Sequence, residues 1–307
     1  MFRSLSFILL LLFVVFSLGC AKTTEVRPQP QAQQKKVLSP EEQKKQQAEK
    51  LFMDGLIDMQ HGALDTAVKH FREALKLDPD SYNARLYLAD VYGQQKNHML
   101  ALDQYEKMIK INPKDPRAYN GAISSYIDMA LLKMALGVKD EAEKNGVDPA
   151  GVAASLGWVY YLSGDYENAR KSYELIKGKG NETLVTNNLG LISFSEGKYA
   201  EALGYFKEAV EKNPDSIVAP YFVALAETKL GHEDEAIKAL KEGIKRDPKL
   251  EDKVAGYNAQ FFPGGDPGDL SPLFAKIKAE QEKEKPAEGQ KKEAPAAASG
   301  TTSKEAR

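Results

Sequence analysis

The chain has 307 residues, of which 42 are Lys or Arg and 44 Asp or Glu, for a net charge of −2, with 42% hydrophobic and 28% charged side chains. This balance excludes an acidic disordered tail and a basic nucleic-acid binder, and the length allows one or two domains with a sizeable core. A single cysteine, Cys20, leaves no intramolecular disulfide and no Cys-based zinc site, so stability must come from packing.

In chain order, residues 1–18 read as a signal peptide. Arg3 and the amino group form its positive end, and residues 7–18 form an apolar run of twelve, too short to span about 30 Å of hydrocarbon as a helix. The run ends in Ser17-Leu18-Gly19-Cys20, which resembles the lipobox of bacterial lipoproteins, with Ser17 where that motif prefers Leu. The resemblance implies a signal peptide over 1–19 and acylation of Cys20, a membrane anchor of two or three chains at about 0.8 kcal/mol per buried methylene. Ala21, in place of the Asp that resembles an inner-membrane retention signal, favours the outer membrane.

Residues 20–47 hold the lipidated cysteine and a flexible tether almost without apolar side chains. The 27 residues after Cys20 have an r.m.s. span of about 30 Å as a coil. Ser39-Pro40-Glu41-Glu42 is a helix-start signature, with Ser39 as N-cap, Pro40 at the first helical position and Glu42 placed to close a capping box, so order is expected from near residue 40.

A repeat then organises the chain. Ala67, Ala101, Ala135, Ala169, Ala202 and Ala236 are separated by 34, 34, 34, 33 and 34 residues. Four residues after each stand Phe71, Tyr105, Lys139, Tyr173, Phe206 and Leu240, and twelve before stand Gly55, Ala89, Ile123, Gly157, Gly190 and Ala224. Small residues let two helix backbones approach while the larger side chain fills the groove beside them, so each unit is a pair of amphipathic helices. Pro79, Pro113, Pro214 and Pro248 close four units, and Ser81, Asp115 and Ser216 cap the helices that follow.

These columns resemble the tetratricopeptide repeat family over six units: 48–81, 82–115, 116–149, 150–182, 183–216 and 217–250. The third departs most, with Lys139 for the aromatic, Ile123 for the small residue, and Asp148-Pro149 closing it two residues late. The resemblance implies an all-α, right-handed superhelical solenoid of six helix-turn-helix repeats with C-terminal capping helices. Residues 251–285 are the candidate cap: Phe261-Phe262 could cover the last repeat, and a helix from Ser271 presents Leu273, Phe274 and Ile277 on one side. Residues 286–307 have the composition of a disordered tail.

No catalytic signature stands out. His61, His70, His98 and His232 lack metal-ligand spacing and read as solvated imidazoles. Gly178-Lys179-Gly180 lacks the Ser or Thr of a phosphate loop, and no Gly-x-Ser-x-Gly elbow occurs. The expectation is a protein without catalytic residues, cofactor, metal, nucleic acid or small-molecule substrate.

The family resemblance implies instead a concave wall lined by the first helix of each pair. In repeats four to six that selects Trp158, Tyr161, Leu191, Phe194, Tyr221 and Leu225, with Asn187 as a polar neighbour. In repeats one to three it selects Phe52, Leu56, Asn83, Asp90, Arg117, Asn120 and Ser124. The aromatic half either grips an amphipathic or extended protein segment or packs between repeats. The cationic clamp with which some members hold a chaperone's C-terminal carboxylate is missing, since Phe52, Leu56 and Leu86 stand at such places. Lipobox, tether and six repeats together resemble the pilotin family that helps assemble type IV pilus secretins. The alternatives are an adaptor for peptidoglycan enzymes and an enzyme with accessory repeats, although no segment outside the repeats exceeds about 60 residues.

Overall fold

The computed structural model describes residues 38–284. The expected signal peptide 1–19, Cys20, the first part of the expected tether and the expected tail 286–307 lie outside the described residues. Among the described residues there are fourteen helices and no strand.

Twelve of the helices form six consecutive pairs: α1 (Pro40–Gln60) with α2 (Leu64–Leu77), α3 (Tyr82–Gln94) with α4 (His98–Ile111), and α5 (Pro116–Asp128) with α6 (Leu132–Lys144). They continue as α7 (Pro149–Leu162) with α8 (Tyr166–Ile176), α9 (Glu182–Ser195) with α10 (Tyr199–Lys212), and α11 (Val218–Lys229) with α12 (Glu233–Arg246). The capping box closes as a reciprocal pair, Ser39 N–H donating to Glu42 Oε2 at 2.7 Å and Glu42 N–H to Ser39 Oγ at 3.2 Å. Residues 40–47, assigned to the tether by composition, are therefore the first turns of α1.

The turn inside each pair is closed by the same bond. The N–H groups of Ala63, Asn97, Leu131, Asp165, Lys198 and His232 donate to the carbonyls of Asp58, Tyr92, Tyr126, Tyr160, Ser193 and Glu227 at 2.8–2.9 Å. That geometry needs a residue in the left-handed region one place earlier, which Gly supplies without a Cβ clash. Gly164 does so at φ 75°, but repeats two and three use Lys96 at 60° and Ala130 at 58°. Between pairs, the residue before each proline is extended, as at Asp78 with φ −130° and Asn213 with φ −136°.

Repeat three ends differently from expectation. Gly146, at φ 70°, stops α6, and Val147 N–H bonds Ala142 O at 3.0 Å. Asp148 and Pro149 belong to the next helix as its N-cap and first residue, Asp148 Oδ1 accepting from Ala150 N–H at 3.0 Å.

Packing explains the two phased columns. A Cβ built on Gly55 would lie 2.7 Å from the Phe71 ring, on Gly157 2.9 Å from Tyr173 and on Gly190 2.5 Å from Phe206. The missing Cβ is the space that the ring occupies. Repeat three inverts the exchange: Ile123 is fully buried, whereas Lys139 reaches out to Glu143 at 3.2 Å. Bulk has moved from the second helix to the first, leaving the interface filled. The core runs as two clusters that meet on α7, with Val152, Leu156 and Val159 in the first and Ala153 and Tyr161 in the second.

Two further helices follow the repeats, α13 (Leu250–Phe261) and α14 (Ser271–Glu284). Leu250 fills the space left by Gly243. The α14 helix buries Leu273, Phe274 and Ile277. It pairs Glu280 with Lys241 at 2.6 Å and Lys276 with Glu233 across α12, and Lys278 with Glu251 of α13 at 2.6 Å.

The best-buried carboxylate is Glu227, 2% exposed, which accepts from Lys207 Nζ at 2.8 Å and faces His232 Nδ1 at 2.8 Å. Burial disfavours its charge, but the hydrogen bonds from Lys207 and His232 outweigh that and hold the carboxyl below its usual range. Histidines were expected in open solvent, yet His70 and His98 also face carboxylates, Asp58 at 2.7 Å and Asp128 at 3.3 Å. Asp and Glu on neighbouring turns or helices draw the rings in.

Two outcomes follow from these contacts. Gly190→Ala should lower stability by about 1–3 kcal/mol. Adding Phe206→Leu, which recreates the Ala224 and Leu240 pair of repeat six, should cost less than the two single changes summed, by at least about 0.5 kcal/mol in urea melts. A purely additive double mutant would contradict the interlock. For Glu227 the folded pKa is depressed, so its contribution is present above the unfolded value of about 4.5 and disappears as the pH falls through the folded value. Glu227→Gln should therefore lower the urea midpoint at pH 7 and flatten its fall between about pH 5 and pH 3.

Candidate functional site

The first helices of repeats four to six place an aromatic wall across three elements. Trp158 and Tyr161 lie one turn apart on α7 and stack at 5.1 Å between ring centres. Phe194 comes from α9, and Tyr221 and Phe222 from α11.

The wall is not open. The end of α13 lies against it, with Tyr257 5.4 Å from Tyr221, Phe261 6.4 Å from Trp158 and 5.0 Å from Phe222, and Phe262 5.1 Å from Phe194. Tyr161 donates its hydroxyl to the Phe261 carbonyl at 2.6 Å and shares a hydrogen bond with Ser195 Oγ at 3.0 Å, while the Tyr221 hydroxyl bonds Asn258 Oδ1. Burial pushes the Tyr161 phenol up to about 12 and raises Tyr221 further, so both remain neutral donors at any physiological pH. Phe261 and Phe262, expected to cover the last repeat, lie on its Phe222 and reach on to Trp158 and Phe194 of repeats four and five, while α14 packs on α12.

The residues predicted to line the groove therefore divide. Trp158 and Asn187 are partly exposed, Tyr161, Phe194 and Tyr221 are covered by the chain's own aromatic side chains, and Leu191 and Leu225 are buried in the core cluster that includes Leu250 and Phe262. Asn187 Oδ1 is buried and accepts no hydrogen bond. Where residues 262–266 cross the turns of repeats four and five, a cavity of about 370 Å³ remains beside Tyr166, Tyr199 and Phe262.

Sequence reasoning missed Phe222, Ser195, Tyr257 and Asn258. Their signal was present in one place: Tyr257, Phe261 and Phe262 are spaced i, i+4 and i+5 in an otherwise polar segment, which puts three rings on neighbouring positions of one helix end.

The wall of repeats one to three is mixed. Asn83, Arg117 and Ser124 are exposed, Arg117 lying 4.9 Å over the Tyr82 ring and bonded to Asp115. Phe52 packs on Phe71 and Tyr87, beside Leu56 in the same cluster, Asp90 accepts from Tyr105 at 3.1 Å, and Asn120 donates to Gly151 O at 2.8 Å. Among the described residues no three His, Cys, Asp or Glu side chains converge as a metal site, and no helix is long and apolar enough to cross a membrane.

Sequence profiles described as "Tetratricopeptide repeat" match residues 58–125, 156–217 and 193–256, together more than half of the chain. The chain belongs to the tetratricopeptide repeat family. Human tetratricopeptide repeat protein 13 is 28% identical over 165 residues, which are 52% of this chain and 19% of that protein. The photosystem I assembly protein Ycf3 of Synechococcus elongatus is 30% identical over 109 residues, 34% of this chain and 63% of its own. The chain thus spans less than two thirds of these relatives.

Among solved structures, PilW, described as a widely conserved type IV pilus biogenesis factor, superposes with a TM-score of 0.58 at 15% identity, covering 67% of this chain and 98% of PilW. PilF of Pseudomonas aeruginosa gives 0.54 at 19% identity, covering 78% and 99%. At such identities the likeness is one of fold, an all-α tetratricopeptide repeat solenoid. A repeat array of this family is a protein-interaction scaffold, and the family matches indicate no catalytic domain.

Trp158 is the chain's only tryptophan, so its emission reports on the covered wall. Tyr161→Phe removes the donor to the Phe261 carbonyl and should cost about 1 kcal/mol and red-shift that emission as the end of α13 loosens. An unchanged spectrum together with unchanged stability would show that the contact holds nothing in place.

Proposed function

We propose that this is a lipid-anchored protein of the bacterial cell envelope whose repeats hold another envelope protein in the assembly of a surface machine such as a type IV pilus or a secretion complex. The observation that carries the reading is the aromatic wall of α7, α9 and α11, a surface that already binds a polypeptide segment, in this state the chain's own. Anchoring rests on the Ser17-Leu18-Gly19-Cys20 run and on Ala21, which points to the outer membrane facing the periplasm. The capping box at Ser39 makes the start of α1 self-sufficient, so that the stretch between Cys20 and residue 38 serves as the spacer from lipid to repeats. The pilus pathway is supported by this order of lipobox, spacer and repeats and by the shared fold of PilW.

Mass spectrometry of the protein extracted from cells should find an acylated Cys20 as the first residue. Cys20→Ser should abolish the modification and leave an unprocessed precursor. Affinity purification of the acylated form should bring down secretin subunits or other parts of a pilus or secretion machine. An unmodified Cys20 would remove the anchor from this account, and recovery of cell-wall hydrolases or synthases in place of secretins would move the protein to peptidoglycan maintenance.

A further inference from the structure

We infer that the segment from Tyr257 to Phe262 is a resident ligand of the concave wall, and that the partner is a helical protein segment carrying the same recognition pattern: aromatic side chains at i, i+4 and i+5 with an amide at i+1. This deepens the scaffold reading and rests on it.

Four observations carry the inference. Each ring of the segment meets a ring of the wall, Tyr257 on Tyr221, Phe261 on Trp158 and Phe262 on Phe194, and the amide of Asn258 meets the Tyr221 hydroxyl. The wall therefore reads the last turn of a helix and the residue that leaves it, Phe262 at φ −132°. The α13 segment is held from one side, since Leu250 and Phe262 are its buried residues, Ala255, Ala259 and Gln260 are exposed, and Glu251 and Lys253 make only surface ion pairs with Lys278 and Asp247.

The segment can also leave without dismantling the fold. Leu250 is seated against Gly243 on one side, and α14 has its own apolar seat and ion pairs on α12 on the other. Between Phe262 and α14 runs Pro263-Gly264-Gly265-Asp266-Pro267-Gly268, with Gly264 at φ 75° and Gly268 at φ 104°. The clip is thus tethered at both ends, and its high effective concentration keeps the wall covered until a tighter segment arrives.

Finally, the fit is incomplete in ways that favour a partner. A cavity of about 370 Å³ lies unfilled beside Phe262, Tyr166, Ser195 and Tyr199. A partner segment that fills this cavity gains contacts that the internal segment lacks.

The test uses the full chain in detergent and a synthetic peptide of residues 250–266, which contains no tryptophan. Tyr257→Ala, Phe261→Ala and Phe262→Ala combined should uncover the wall, and the peptide should then change Trp158 emission saturably with a Kd at least about tenfold below that for the unaltered chain. A scrambled peptide should not. A folded triple variant, judged by helicity and a cooperative melt, that does not bind the peptide overturns the inference. Should the variant not fold, hydrogen exchange of the unaltered chain decides: amides of α13 opening well before those of α11 and α12 support a displaceable clip, and amides that exchange only with global unfolding refute it. Envelope proteins that still co-purify while the peptide fails would sink the resident ligand and leave the scaffold standing on another surface.

Discussion

A tetratricopeptide helix pair cannot bury its own apolar surface, and the rest of this structure follows from that shortage of cover. Within a pair the shortage is met by interlocking, as the rings of Phe71, Tyr173 and Phe206 fill the volume left empty by Gly55, Gly157 and Gly190. Between pairs it is met by the next repeat. At the C-terminal end it is met by α14, which places Leu273, Phe274 and Ile277 on α12 and turns Lys and Glu outward. Stacking leaves the aromatic wall of α7, α9 and α11 uncovered, and there the chain folds back on itself through α13.

Much of this was legible because repetition amplifies weak signals. The alanine column recurs in all six units and the proline steps in four, with the period of one helix pair, and Ser81 and Asp115 cap the helices that follow them. The outlying third repeat is consistent with the same physics, because Ile123 and Lys139 exchange bulk across one interface. Less legible were Lys96 and Ala130, which adopt the left-handed turn conformation against their own preference, since tertiary packing of the flanking helices overrides the local cost. The start of α1 was legible in the capping box at Ser39, although the polar composition of residues 40–47 by itself resembles a tether.

The groove shows where reading from a single chain stops. Position within the repeat selected Trp158, Tyr161, Phe194 and Tyr221 as wall residues, and all four meet the α13 segment. Position could not say that the surface is covered, because α13 owes its place to a few scattered side chains and to contacts as far as 100 residues distant in sequence. Leu191 and Leu225 stand at equivalent repeat positions, yet belong to the packed interior. A wall that is aromatic, neutral and already fitted to the end of a helix suits protein recognition.

The central claim is that the wall of repeats four to six is the working surface of the protein and that α13 guards it. Site-specific crosslinking from a photoreactive residue at position 158, the partly exposed edge of the wall, tests this directly in intact cells. The account predicts an intermolecular adduct with one envelope protein, alongside a fraction crosslinked within the chain to the end of α13. Adducts confined to the chain itself, with the protein folded and in its native compartment, would contradict it.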